Sequence, residues 1–335
     1  MTLSKRLARL VLASTVMLGL NAGMAAHAEQ NWDMALPWGQ KEFHTIDAQK
    51  FADRVKDITG GELTITVHAG GVLGIKGPET IRSVRDGVVP MADAPLSQAV
   101  GEVPISGVEA LPYLVSDQAD LRALHNEIMG PIKEGMARHN IKGLYVVPWP
   151  ANQIFSSREI KSPEDLKGLK IRTPDSNSAT FFQALGATPV QMSIADVLPA
   201  LASGALDATT TSMSTAADQK YWEFLKYTYT TSHLWTSNAM LVNLDSWNSL
   251  TPDHQAAIEA AAAEMQEEFW KVSAGEDEKA AEKLRAGGMT VEEAPPAVVE
   301  AMQAAARPVW EKTFERIGPP SKELIAAYLE KIGRK

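Results

Sequence analysis

From Thr251 to Arg285 the chain keeps a helical pattern; Pro252 fits the first helical position and Gly287-Gly288 ends the run. The run is about 34 residues, or roughly 50 Å at the rise of an α-helix. Such a helix outruns a compact lobe of roughly 120 to 150 residues. The segment is rich in Ala and Glu and sustains no heptad of Leu or Ile. It is therefore expected as a strut over 251–286 that lies along two lobes.

Elsewhere short β-rich runs alternate with longer helical patterns, which points to an α/β fold. Residues 63–68 (LTITVH) alternate with a period of two and stop at Gly70-Gly71. Residues 143–148 and 169–173 read as further strands, the second closed by Pro174-Asp175. Ser162-Pro163-Glu164-Asp165 carries an N-cap, a first-turn proline and an acid at the capping-box position, so a helix is expected there. Ser193-Ile194-Ala195-Asp196 repeats the signature, with Gly204 as a stop and Pro199 expected to bend the helix between them.

The N-terminus reads as an export signal. Lys5, Arg6 and Arg9 precede an apolar stretch from Leu10 to Leu20, and Ala26-His27-Ala28 supplies a small-x-small site, so cleavage is expected after Ala28. That stretch is shorter than the ~20 residues needed to span a bilayer. There is no cysteine, which excludes both a lipid-anchored leader and a disulfide framework. The destination is the periplasm of a Gram-negative cell. The whole chain carries a net charge of −9, and the part after the basic leader is more acidic still. An acidic surface argues against nucleic acid as a partner, yet a single buried cation can still hold an anion at short range.

Catalytic signatures are missing: there is no G-x-S-x-G elbow, Walker loop, H-E-x-x-H or dinucleotide fingerprint. The seven histidines show no metal-ligand spacing, so neither a metal nor a cofactor is expected. Single acids such as Asp93 or Asp207 could act as bases, but nothing in the sequence selects them. Arg172 differs by position. It ends the 169–173 strand, where open α/β sheets bind ligands, and its planar fork suits a carboxylate or sulfonate. The helix expected at Asp175-Ser176-Asn177-Ser178 would offer free N–H groups to an anion nearby. A structural ion pair is the alternative role, and the residues alone leave both open.

The segment from Ile160 to Arg172, containing Pro163-Glu164-Asp165-Leu166-Lys167-Gly168-Leu169-Lys170-Ile171-Arg172, resembles the central signature of DctP-type substrate-binding proteins of TRAP transporters. The likeness continues through Ala184–Val190, Val197–Asp207 and Trp247–Gln255, and upstream through Gly60–Leu63, Gly71–Gly74 and Ala110–Tyr113. It implies a two-lobed periplasmic binding protein with a cleft between α/β lobes and a long helix crossing both. The expected lobes are 29–148 plus about 236–270, and 149–235 plus about 271–335. The resemblance also implies that Arg172 pairs with a ligand carboxylate, that TRAP membrane permease subunits are partners, and that the protein is a monomer.

Some positions depart from the family pattern. Asn152-Gln153 stand where sialic-acid-binding members carry a second Arg, Asp207–Ser212 replaces an Asp-Gly-x-Glu-Asn motif, and Pro95 replaces an acid. With one fixed cation, a monoacid is favoured over a diacid, because an unpaired buried charge costs several kcal/mol. Asn152, Gln153, Thr211 and Ser212 are expected to bond a hydroxyl or keto group. Trp149, Phe155, Trp222 and Trp235 are expected to wall an apolar or aromatic body. The expectation is a receptor for a hydroxy, keto or aromatic monocarboxylate. A sulfonate ligand, presentation to a membrane sensor, and a periplasmic enzyme are the competing readings.

Overall fold

The period-two run forms a strand as expected, and it sits in the first of two sheets of a computed structural model that describes residues 29–334. The expected leader lies outside the described residues. The first sheet has the order β2-β1-β3-β10-β4, from β1 (Gln30–Ala35), β2 (Leu63–His68), β3 (Met91–Pro95), β4 (Ile141–Pro148) and β10 (Ser237–Asn243). β1 runs parallel to β2 and β3, whereas β10 runs antiparallel to β3 and β4. α1 (Phe43–Ile58), α2 (Glu79–Arg85), α3 (Gln118–Arg138), α7 (Leu244–Asn248) and α8 (Pro252–Ala274) pack around this sheet to complete lobe I.

The second sheet has the order β11-β9-β5-β8-β6-β7. Its strands are β5 (Asn152–Ser156), β6 (Lys170–Thr173), β7 (Thr188–Gln191), β8 (Ala208–Thr211), β9 (Tyr227–Leu234) and β11 (Thr290–Glu293). With α4 (Ser176–Ala184), α5 (Val197–Ala202), α6 (Met213–Asp218) and α9 (Glu276–Ala286) it forms lobe II. The mixed α/β architecture with two lobes is the expected fold class.

Two crossings between the sheets lie side by side. β4 leads into β5 through residues 149–151, and β9 leads into β10 through residues 235–236. Trp149 N–H donates to the carbonyl of Thr236 at 2.8 Å, so the crossings are paired and prolong both sheets.

The long helix differs from expectation. It is two helices, α8 and α9, parted at Gly275. Gly275 turns its N–H to the carbonyl of Val272, three residues back, and Glu276-Asp277-Glu278 then forms an acidic first turn that favours a fresh helix start. α8 packs on α1 and β4 in lobe I, while α9 packs on α6 and β11 in lobe II. The outer edge of β4 is closed by α8: Gln266 Oε1 accepts from Val146 N–H, Trp270 Nε1 donates to Val146 O, and Ser273 Oγ donates to Pro148 O. These bonds satisfy backbone groups that an open edge would offer to another chain.

The C-terminus also departs from the expected division. α10 (Pro296–Ile317) packs on α4, but α11 (Pro319–Lys331) returns to lobe I against α3. There Lys331 pairs with Glu127, Tyr328 Oη donates to Leu114 O, and Arg334 donates to the carbonyls of Tyr113 and Leu114. Residues 319–334 therefore belong with lobe I. The helix expected at Ser162 is a single 3₁₀ turn, Pro163–Leu166, with its capping box intact. Gly168, at φ 68°, then reverses the chain into β6. Pro199 bends nothing, because a 3₁₀ turn over 194–196 precedes α5 and leaves it in the first helical turn, where no backbone donor is needed. Among the described residues no helix is long and apolar enough to cross a membrane.

Candidate functional site

The C-terminal ends of β3 and β6 and the paired crossings face one another, as the topology of open α/β sheets places a ligand. Between them lies a narrow cavity of about 40 Å³. Lobe I contributes Trp38, Pro95 and Ser97; lobe II contributes Arg172, Pro174, Thr211, Ser212 and Thr215; the crossings and the start of β5 contribute Trp149, Asn152 and Thr236.

Arg172 is 4 % exposed. Its Nε donates to Met192 O at 3.0 Å and its Nη1 to Thr210 O at 3.2 Å, which fixes the plane of the guanidinium. Among the described residues Nη2 has no hydrogen-bond acceptor, and no carboxylate comes within 4.0 Å. Burial lowers the pKa of Arg172, while Tyr221 and Asp175 act in the opposite sense. A buried guanidinium without an ion-pair partner is expensive, on the order of several kcal/mol. The structural ion pair, one of the two roles open at the sequence level, is not found.

At the start of α4 one of the first-turn N–H groups, that of Ser178, is taken up by the helix's own cap. Asp175 caps its own helix, its Oδ1 accepting from Ser178 N and Oγ at 2.9 and 2.8 Å. Burial raises the pKa of that acid. Asn177 donates to Gly107 O at 2.7 Å and accepts from Thr313 and Arg316, tying lobe II to a turn of lobe I and to α10.

The hydroxyl side of the cavity comes from β8 and α6. Ser212 caps α6, and its Oγ meets Ser214 Oγ at 2.9 Å and Thr215 Oγ1 at 3.1 Å. Behind Arg172, His233 bridges Thr210 and Thr231, and burial lowers its pKa to about 3, so the imidazole is neutral. Among the described residues no group of His, Asp and Glu could hold a metal ion.

Of the nine residues singled out from the sequence, Arg172, Asn152, Trp149, Thr211 and Ser212 line the cavity. The other four lie elsewhere. Gln153 follows Asn152 on a strand, so its side chain points to the opposite face. There its Oε1 accepts from Thr231 N and Ser232 N at 2.7 and 2.9 Å, serving a bulge in β9 where Ser232 takes φ 43°. Phe155 is fully buried against Tyr221 in the core. Trp222 lies over Gly287, where a β-carbon would collide with its indole. Trp235 packs against the hydrophobic core with its Nε1 buried and unpaired.

The sequence reading missed Trp38, Ser97, Pro174, Thr215 and Thr236, and met Pro95 only as a departure from a pattern. The strand-end rule that selected Arg172 would also have selected Trp38, just beyond β1. Trp38 and Trp149 pack edge to face with centroids 4.8 Å apart, and their indole N–H groups are held by Asp93 and Asn238.

Residues 34–317 match the family model described as bacterial extracellular solute-binding protein, family 7. The chain is 28% identical over 281 residues to the 2,3-diketo-L-gulonate-binding periplasmic protein YiaO of Escherichia coli K12, covering 81% of this chain and 84% of that one. Its structure is similar to that of a marine-metagenome TRAP solute-binding protein specific for pyroglutamate, with a TM-score of 0.87, 32% identity, and 90% and 99% of the two chains covered. The Bordetella pertussis receptor DctP6, which binds pyroglutamic acid, matches with a TM-score of 0.86 and 28% identity over 90% of this chain and 100% of that one. These relatives are named as binding proteins, and none as an enzyme. The chain belongs to bacterial extracellular solute-binding protein family 7, as a TRAP-type receptor.

Proposed function

We propose that this protein captures a small organic monocarboxylate in the cavity, with Arg172 pairing the acid group, and delivers it to a TRAP membrane permease. One observation carries the reading: Arg172 is buried at the cavity with no protein anion beside it and with donors left over. A ligand carboxylate supplies the missing charge through two parallel hydrogen bonds. Among the described residues no second cation lines the cavity, which disfavours a diacid. The indoles of Trp38 and Trp149 and the rings of Pro95 and Pro174 form the apolar walls, and Asn152 with the hydroxyls of Thr211, Ser212 and Thr215 faces a polar group on the ligand's body. A compact ring bearing one carboxylate and one polar group fits that division. Pyroglutamate, the ligand of two similar structures, is therefore the first candidate.

The test is calorimetric titration of the mature protein with L-pyroglutamate, 2-oxo acids and a short sulfonate. The expected result is tight binding of a monocarboxylate and loss of at least about 30-fold in Arg172→Ala, since truncating one partner of a buried charge pair costs about 2–5 kcal/mol. Equal affinity in that variant overturns the anchor role, and a preference for the sulfonate overturns the ligand class.

A further inference from the structure

Four segments that are distant in sequence bring one buried acid behind the aromatic wall. Asp93 sits on β3 and is 2 % exposed. It has no cation within 4.0 Å among the described residues. Its Oδ1 accepts from Trp38 Nε1 at 2.5 Å and also from Asn238 Nδ2. Asn238 lies on β10, opposite Pro95 in the ladder and two residues along from the partner of Asp93, so its side chain emerges on the same face. Its own Oδ1 accepts from Trp149 Nε1 at 2.7 Å. The relay allows only one orientation of the amide, with its NH₂ toward the acid and its oxygen toward the indole. A single carboxyl oxygen thus holds Trp38 directly and Trp149 through one amide. Phe43 and His44 back the second indole, at centroid distances of 5.2 and 4.1 Å.

We infer that Asp93 is the positioning residue for the aromatic wall, fixing the two indoles and so setting which acids the cavity accepts by the shape of their bodies. The inference rests on the cavity being the acid's site. Burial raises the pKa of Asp93 to about 7, against the opposing pull of the Trp38 and Asn238 hydrogen bonds. Both protonation states keep an accepting oxygen, so the acceptor and not the charge is what the wall requires. Without it, Trp38 Nε1 and Asn238 Nδ2 lose their acceptor, which frees one indole directly and the other through the released amide, and a buried donor left unpaired is costly.

Three variants test this in the mature protein, with L-pyroglutamate as probe. Asp93→Asn keeps an acceptor and is expected to bind within about three-fold of the parent. Asp93→Leu removes it and is expected to weaken binding roughly 30-fold. Asn238→Leu, which releases only Trp149, is expected to fall between, at about ten-fold, and serves if Asp93→Leu does not fold. The indole N–H resonances of Trp38 and Trp149, identified by Trp→Phe replacement, should move in Asp93→Leu and stay in Asp93→Asn. A purely structural role would lower the melting temperature and leave both affinity and resonances unchanged. The inference falls if the Leu variants bind like the parent, or if Asp93→Asn loses as much as Asp93→Leu. Loss in Arg172→Ala with none in the Leu variants leaves the cavity reading standing. Equal binding in Arg172→Ala, or no binding by the parent, removes the cavity reading and this inference with it.

Discussion

The two faces of the cavity are built on opposite plans. Lobe I presents rings, Trp38 and Pro95, and keeps the buried acid Asp93 behind Trp38. Lobe II presents a cation and hydroxyls, Arg172, Thr211, Ser212 and Thr215, held directly by strand ends and a short helix. A charge needs an electrostatic partner fixed by backbone carbonyls, whereas a ring needs only its tilt controlled. On the proposed reading the acid group is met by lobe II and the apolar face of the body mostly by Trp38 and Pro95 of lobe I, so the two contributions should be separable by mutation.

The largest effect should come from the cation. Beyond the loss expected in Arg172→Ala, Arg172→Lys keeps the charge but not the fork, and should recover only part of the affinity by titration. A full recovery would mean that charge alone suffices in lobe II. Next, Trp38→Ala removes a wall of lobe I and should cost about 2 kcal/mol of binding, roughly 30-fold, for a ring acid. The same variant should cost an open-chain acid such as lactate much less; equal losses would erase the division between the lobes.

A smaller effect is expected with pH. Glu42 is 4 % exposed, and burial first, then Asp218, raises its pKa to about 8 from 4.5, while Asp93 rises to about 7 from 3.8. The folded chain therefore keeps protons that the unfolded chain has released. Stability from these groups is full below about pH 4 and is lost as pH rises toward 8. Asp47 and Asp277 act in the same direction. Because neutral His44 and His233 act oppositely up to about pH 6.5, a pH series of melting temperatures should fall between about pH 6.5 and 8, and Glu42→Gln should flatten that part. A rise instead would contradict the burial. Smallest of all, Trp222→Ala should leave the affinity unchanged within about two-fold, because its ring lies over Gly287 and not at the cavity.

How much of this was legible depended on how local the signal was. The strand ending at Arg172 could be read because alternation, a capping box and the Pro174-Asp175 stop all lie within a few residues. The division at residues 148–149 and 235–236 coincides with the sheet crossings, since strand ends are local too. That Gln153 turns away from Asn152 follows from strand alternation, but its partners at the bulge of β9, a strand some 75 residues away, leave no local mark. The joint at Gly275 was hidden because both flanks are good helix formers and one glycine costs only about 1 kcal/mol in a helix. Packing on two different lobes decides that break. The return of α11 to α3 is likewise a tertiary choice, with no mark in the sequence of either helix.

The lone guanidinium has a consequence for the receptor without cargo. A closed but vacant shell must keep that ion away from water at several kcal/mol, which disfavours it by a factor of hundreds or more against any arrangement that hydrates the ion. On the proposed reading, closure would then report occupancy. A downstream partner that grips only the shut outline would be spared competition from vacant copies, with no need to inspect the ligand itself.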